Sequence, residues 1–226
     1  MTYEILKKIE RSEKDLEHSR LLAGYGVATV SEAQGKTGVM DDHIKPIQQG
    51  KSIAGRAITV ECTGSDNLII HAAFEVCSQG DVLVVSTPNK TKNGFFGELM
   101  ANSAIKRGVV GLIIDGGVRD TEAMRKLGFP VWSRYVYVMG TTKNMPGNVN
   151  KEITCGNVTI YGGDFIVADD DGVVVVKKEN LEATLENSRK RTEKEVQTRE
   201  KIRNGELSID FYNLRPKIAE ANVKYS

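Results

Sequence analysis

The chain has 226 residues, enough for one large α/β domain and too few for two well-cored domains of ordinary size. Its 31 basic and 30 acidic side chains leave a formal charge of +1, which excludes a global field drawing it to nucleic acid or an anionic membrane, so any anion must be caught locally. The longest apolar stretches, around 81–86 and 109–114, are far below the span of a bilayer, and the N-terminal MTYEILKKIERSEKD lacks the apolar core of a signal peptide; the expectation is a soluble, cytoplasmic protein. Cys62, Cys77 and Cys155 are odd in number and form no C-x-x-C pair, so they are read as small buried hydrophobes rather than disulfide or zinc ligands.

In chain order, Tyr3 to Leu22 spaces Ile5, Leu6, Ile9, Leu16 and Leu21 as an amphipathic helix would. ATVSEAQG (28–35) reads as a short helix capped by Ser31 and ended by Gly35. SIAGRAITVEC (52–62) is β-branched and reads as a strand, NLIIHAAFEVC as a helix, and DVLVVS (81–86) as a strand buried on both faces. The pattern repeats: Gly97 opens a helix ELMANSAIKR that Gly108 closes, and VVGLIID (109–115) is a second buried strand. TEAMRKLG reads as a helix, PVWSRYV as a strand, Cys155 to Lys177 as several strands, and Leu181 to Arg203 as a long charged helix. The whole is one α/β domain with a core over about 23–178 and a C-terminal helical extension over 179–226.

Two buried strands joined by a helix imply a right-handed parallel crossover, so their carboxyl ends lie together. The loops leaving them, TPNKTKNGFFG and GGVRD (116–120), therefore converge where open α/β sheets hold ligands. The amides of Glu98, Leu99 and Met100 at the helix start behind Gly97 can cradle a carboxylate. Arg119 offers a planar fork for a carboxylate or enolate oxygen, and Asp120 a hard oxygen for Mg²⁺ or Mn²⁺. The competing structural reading makes Asp120 or Thr121 a helix cap and Arg119 a surface ion pair. Gly50-Lys51-Ser52 lacks the first glycine of a phosphate loop, and Asp169-Asp170-Asp171-Gly172 lacks the spacing of a calcium loop and reads as a tight turn. His18, His43 and His71 show no metal-ligand spacing; His18 reads as a solvated helix residue, and His71 as a helix-face residue with room for a supporting role at the site.

GELMANSAIKRGVVGLIIDGGVRD (97–120) closely resembles the signature of the class II pyruvate aldolases that cleave 4-hydroxy-4-methyl-2-oxoglutarate and 4-carboxy-4-hydroxy-2-oxoadipate. The resemblance extends through ATVSEAQG, GRAITVEC, GDVLVVS and GDFIVADDDGVVVV to the tail NGELSIDFYNLRPKIAEANVKY, which looks like the carboxy-oxoadipate branch. It implies a swivelling β/β/α domain with N-terminal and long C-terminal helices, shared with the regulators of ribonuclease activity A. Those regulators are non-catalytic and generally lack the Arg-Asp pair, so Arg119 and Asp120 discriminate between the branches; a regulator binding a ribonuclease or another protein partner is the alternative function.

By resemblance, Asp120 is the direct metal ligand, Arg119 acts on the pyruvyl oxygen, and the amides of 98–100 hold the carboxylate. Glu98 holds metal-bound water, as does Glu195, or in its place Glu193, from a neighbouring subunit. The family's acidic residue three after Asp120 is replaced by Ala123, with Glu122 one position earlier. The implied assembly is a homotrimer or hexamer, the implied cofactor Mg²⁺ or Mn²⁺, and oxaloacetate decarboxylation an expected side activity of a site that stabilises pyruvate enolate. A Schiff base through Lys92 or Lys106 would need no metal.

Overall fold

The structure, a computed structural model, describes residues 2–6, 9 and 11–223. Its elements are α1 (Lys14–Ala33), β1 (Lys45–Pro46), β2 (Ile53–Glu61), α2 (Leu68–Ala73), β3 (Asp81–Ser86), β4 (Gly94–Phe96), α3 (Glu98–Lys106), β5 (Gly111–Val118), α4 (Thr121–Leu127) and β6 (Val131–Val136). The two-residue strand β7 (Asn148–Val149) precedes the hairpins β8 (Ile153–Cys155) with β9 (Val158–Ile160) and β10 (Phe165–Asp169) with β11 (Gly172–Val176). After them come α5 (Leu181–Arg203), α6 (Ser208–Phe211) and α7 (Arg215–Glu220).

The main sheet runs β1-β6-β5-β3-β2-β10-β11, with β4 added to β5 and β7 to β2. β2, β3, β5 and β6 are parallel, as the crossover argument requires, while β10 and β11 turn back antiparallel. Alternation along the strands explains the layers. Leu83, Val85, Leu112 and Ile114 pack with Ile70, Ala101 and Met124 from α2, α3 and α4. Val82, Val84, Ile113 and Trp132 face the other way, against Ile153 and Ile160 of the small β8–β9 sheet. The result is the expected β/β/α sandwich. A third cluster seats Leu22, Val27 and Val30 of α1 on Phe165, Val167 and Val174, beside Leu181 and Leu185.

The chain divides into two compact units, Met1–Ser188 and Arg189–Ser226. The second carries most of α5, with i to i+4 ion pairs such as Arg189–Glu193 and Arg199–Glu195, and the short helices α6 and α7. No helix among the described residues is long and apolar enough to cross a membrane.

Several sequence expectations are corrected. The helix expected over 3–22, part of which lies outside the described residues, begins only at Lys14. Residues 4–6 are instead extended: the Leu6 N–H donates to the Val149 carbonyl and the Val149 N–H to that of Glu4, because pairing with an edge strand outweighs the intrinsic stability of a short helix. A helical segment does run over ATVSEAQG as far as Ala33, beyond a break at Gly26 within α1, so Ser31 lies inside it rather than capping it; the Gly26 φ of 78° frees the Val27 N–H to donate to Asp169 Oδ2 at 2.8 Å. The helix expected over 67–77 ends at Ala73 and continues as tight turns. His18 is mostly covered, with Nε2 3.6 Å from Glu182, rather than solvated. Cys62 and Cys155 are buried as expected, and Cys77 partly so.

The β2–β3 contact allows no side chain at Gly55, where a Cβ would lie 2.1 Å from the Gly80 carbonyl oxygen. Gly55→Ala should cost about 1–3 kcal/mol, read as a lowered urea midpoint at unchanged slope. An unshifted midpoint would refute this packing constraint.

Candidate active site at the carboxyl ends of the parallel strands

β3 and β5 end side by side, with Ser86 paired to Asp115. The chain leaving β3 returns as β4, which pairs parallel to the far end of β5 through Gly94 with Gly117 and Phe96 with Val118. That approach depends on Gly117, since a Cβ there would lie 2.0 Å from the Lys92 carbonyl oxygen. The Arg119 N–H donates to the Phe96 carbonyl at 3.0 Å, which brings Arg119 and Asp120 alongside Gly97 and the first turn of α3. A Cβ on Gly97 would meet Asp120 Oδ2 at 2.4 Å, and one on Gly140 would meet a terminal nitrogen of Arg119 at 2.8 Å. Glycines thus line the beds of both side chains.

Asp120 has left-handed backbone angles, φ 56° and ψ 34°, a conformation that costs a non-glycine residue about 1–3 kcal/mol and concentrates at functional sites. Although it precedes α4, its carboxylate makes no cap to that helix. It turns towards α3 instead, where Oδ2 accepts a weak hydrogen bond from the Glu98 N–H at 3.3 Å. Arg119 Nε lies 3.8 Å from Asp120 Oδ2, beyond hydrogen-bond range, and both side chains are 48% exposed. The helix-cap reading of Asp120 fails on this geometry, and Arg119 remains open to an incoming acid.

Arg119 and Asp120 line a cavity of about 120 Å³ with Gly97, Leu99 and Met100, but without the Glu98 expected beside them, and its wall also includes Asn67, His71, Thr141 and Lys143. Its small size fits a compact acid better than a drug-sized ligand. Asn67 donates through Nδ2 to the Phe95 carbonyl at 2.8 Å, while its buried Oδ1 has no partner among the described residues. Burial, then the charge of Lys143, pushes the His71 imidazole below its ordinary pKa. Neither Lys92 nor Lys106 lines the cavity; Lys92 lies 5.6 Å over the Tyr135 ring, and the lysine present is Lys143.

Asn67, Thr141 and Lys143 carry no signal in the sequence, because a tertiary tie delivers the 141–144 loop. Asp66 accepts from Thr142 Oγ1 and the Asn144 N–H, both at 2.6 Å, and from the Leu68 N–H at 2.9 Å. Burial alone would raise the Asp66 carboxyl, but these hydrogen bonds hold it below the ordinary carboxylate value. A stretch of Asp-Asn ahead of an apolar helix reads locally as a cap, and only the fold gives it a second loop to hold.

The donors available to a metal are Asp120 and Glu98, whose Oε1 accepts from Asn102 Nδ2 in the next turn. A half-exposed carboxylate beside a second one, in a bed where a Cβ would collide, suits Mg²⁺ or Mn²⁺, which take one or two carboxylates and keep much of their water. Glu195 lies in α5, its carboxylate 3.2 Å from Arg191 Nε and 2.8 Å from Arg199 Nη2. Glu122 pairs with Lys126 at 2.6 Å, and both line the α4 side of the depression beside Asp120 together with Ala123. The one group of three potential ligands among the described residues, Asp41, Asp42 and His43, was not foreseen, but Asp41 is already engaged by the His43 amide and by Arg134. Asp169 to Gly172 forms the expected tight turn, where Asp170 accepts the Gly50 N–H at 2.9 Å.

The fold is a β/β/α sandwich in which an Arg-Asp pair and a helix start meet at one cavity. Residues 27–175 match the family described as RraA-like, Aldolase/RraA, and the chain belongs to that family. A Halalkalibacterium halodurans protein provisionally named 4-hydroxy-4-methyl-2-oxoglutarate aldolase is 32% identical over 75% of this chain and 80% of its own length. An uncharacterised protein of Methanocaldococcus jannaschii is 36% identical over 76% of this chain and 83% of its own. Among solved structures, RraAS2 of Streptomyces coelicolor, described as an unusual member of the RNase ES inhibitor RraA family, superposes with a TM-score of 0.72 at 24% identity, over 82% of this chain and 98% of that one. That likeness is one of fold.

Because its folded pKa is depressed, Asp66 contributes stability above the ordinary carboxylate range that is lost as pH falls through the folded value. Asp66→Ala should accelerate amide hydrogen exchange at Leu68 and Asn144 and remove this part of the acid dependence of stability. Unchanged exchange at Asn144 would mean that another contact holds the loop.

Proposed function

We propose that the protein is a divalent-metal-dependent lyase that cleaves 4-hydroxy-2-oxo di- and tricarboxylic acids, such as 4-carboxy-4-hydroxy-2-oxoadipate or 4-hydroxy-4-methyl-2-oxoglutarate, to pyruvate and a second oxo acid. Oxaloacetate decarboxylation is the expected side activity, because it forms the same enolate. The observation that carries this reading is the convergence of Arg119, a left-handed Asp120 and the α3 start on one small cavity. Family membership and the names of relatives support a lyase of this class.

The first-turn amides at Leu99 and Met100 hold the substrate carboxylate, helped by the helix dipole. Arg119 sets its fork against the pyruvyl oxygen, where negative charge grows as the carbon–carbon bond breaks. Asp120 would hold the metal directly, and Glu98 would support it through water. Mg²⁺ or Mn²⁺, when bound, supplies Lewis-acid stabilisation of that charge. His71, kept neutral at pH 7 by burial and Lys143, offers an imidazole on the cavity wall that can accept a proton.

Glu195 would complete the site from a neighbouring subunit of a trimer or hexamer. Leu99 at 79% and Val138 at 82% exposure support an assembly that covers apolar surface near the site. A cytoplasmic location and the absence of nucleic-acid or membrane partners accord with the near-neutral charge.

Pyruvate release from oxaloacetate and from 4-carboxy-4-hydroxy-2-oxoadipate should require Mg²⁺, stop on chelation, and be lost in a folded Asp120→Asn variant. Arg119→Ala should lower kcat by roughly 10²-fold or more, whereas a change confined to KM would reduce Arg119 to a binding residue. Chelator-resistant turnover would shift the chemistry to an amine such as Lys143. No release from either substrate by the folded, metal-loaded protein would favour the partner-binding regulator. Co-assembled Asp120→Asn and Glu195→Gln subunits should recover activity that neither has alone, and absence of recovery would rule out a shared site.

A further inference from the structure

β5 changes register with β6 just before it delivers Arg119 and Asp120. Ile114 is paired with Ser133 and Gly117 with Tyr135, so Asp115 and Gly116 together face Arg134 alone. One extra residue on one strand is a β-bulge, which re-aims the chain beyond it and is common beside active sites. In a regular ladder Val118 would lie opposite Tyr137 instead of Val136, which would carry the segment along by one residue, about 3.3 Å. Arg119 and Asp120 follow directly, so their place in the cavity wall depends on the bulge.

The bulge is buried and tied from several sides. Asp115 is 4% exposed. Its Oδ1 accepts from Arg134 Nε, its Oδ2 from the Gly156 N–H at 2.9 Å, and its carbonyl from Thr87 Oγ1 at 2.7 Å. Arg134, the residue opposite, is fastened in turn to Asp41 through Nη2 at 2.9 Å. The end of β3, β6, the β8–β9 turn and the loop after α1 thus all meet at the bulge. A Cβ on Gly116 would lie 2.7 Å from Thr87 Cγ2, so the second bulge residue has no room for a side chain. Removing one partner of a buried ion pair leaves the other charge uncompensated, which confines Asp115 and Arg134 to one arrangement. Asp115, Arg134, Gly156 and Thr87 all lie outside the cavity wall, so none of them is placed to touch the acid.

We infer that Asp115 is a positioning residue for the lyase reaction: through Arg134, Gly156 and Thr87 it fixes the bulge that sets where Arg119 and Asp120 stand. The inference rests on the roles proposed for those two residues and adds a group that acts only through them.

The test is steady-state pyruvate release by the full chain with saturating Mg²⁺, below the melting midpoint of every variant and normalised to folded protein. Asp115→Asn keeps the shape and loses the charge. It should lower kcat by about tenfold or more, because displacing a reacting group by about 1 Å can cost about 10²-fold, while KM stays near the wild-type value since the α3 amides have not moved. Gly55→Ala, which weakens packing at the amino end of β2, is the stability control and should keep the wild-type kcat. Should Asp115→Asn not fold, Thr87→Val removes only the hydroxyl on the bulge carbonyl and should lower kcat several-fold, and Thr87→Ser, which restores the hydroxyl, should recover it. An unchanged kcat in a folded Asp115→Asn or Thr87→Val, an equal loss in Gly55→Ala, or no recovery in Thr87→Ser would overturn the positioning role and leave the lyase reading standing. A wild type that releases no pyruvate would overturn the lyase reading itself, and this inference with it.

Discussion

The architecture of the site depends on one close approach, that of the Lys92 carbonyl to Gly117. Parallel pairing of β3 with β5 is common to α/β folds, but here the chain leaving β3 folds back and adds β4 to the end of its neighbour. With a side chain at 117 that addition is sterically impossible. The strand carries Gly97 and the start of α3 to within reach of Arg119, so the first-turn amides, the guanidinium and the Asp120 carboxylate share a wall. Each feature alone is ordinary; the backbone contact makes them one site.

Around that contact, polar ties add to the apolar packing of Phe95, Phe96 and Val118. Asp66 gathers one loop, Asn93 donates through Nδ2 to the Gly140 carbonyl at 2.7 Å to hold the next, and the Gly94 N–H reaches the Met139 carbonyl at 2.7 Å. These bonds join segments distant in sequence and so restrict the backbone freedom of the loops they hold. The left-handed Asp120 adds stored strain, which is tolerated because the surrounding β-strand and helix over-determine its backbone.

Both ends of the parallel strands carry arginine and aspartate, in opposite states of use. At the carboxyl end Arg119 and Asp120 are half exposed and loosely paired. At the amino end Arg56 is buried, with Nη1 bound to Asp15 and Nη2 packed against Gly163. The same residue chemistry therefore yields an open, half-hydrated pair in one place and a buried pair in the other, because burial decides whether a guanidinium is hydrated by water or must find a fixed acceptor.

Hydrophobic periodicity and glycine placement alone determined the buried parallel strands, the start of α3 at Gly97, the tight turn after Asp169 and the pairing of the two loops at the strand ends. These features are local or follow from the handedness of crossovers, so they are legible without coordinates. The N-terminal helix was misplaced because its apolar residues satisfy a helical pattern while the backbone around Ile5 pairs with Val149. Asp120 read equally well as a cap until its φ and the proximity of Glu98 decided which way its carboxylate turns. Asn67 lies more than seventy residues from Thr141 and Lys143, and they meet only because Asp66 binds the distant loop; the pairing of Arg56 likewise exists only once α1 has supplied Asp15. Sequence periodicity reports what each segment does by itself, whereas these contacts depend on how distant segments satisfy one another's buried polar groups.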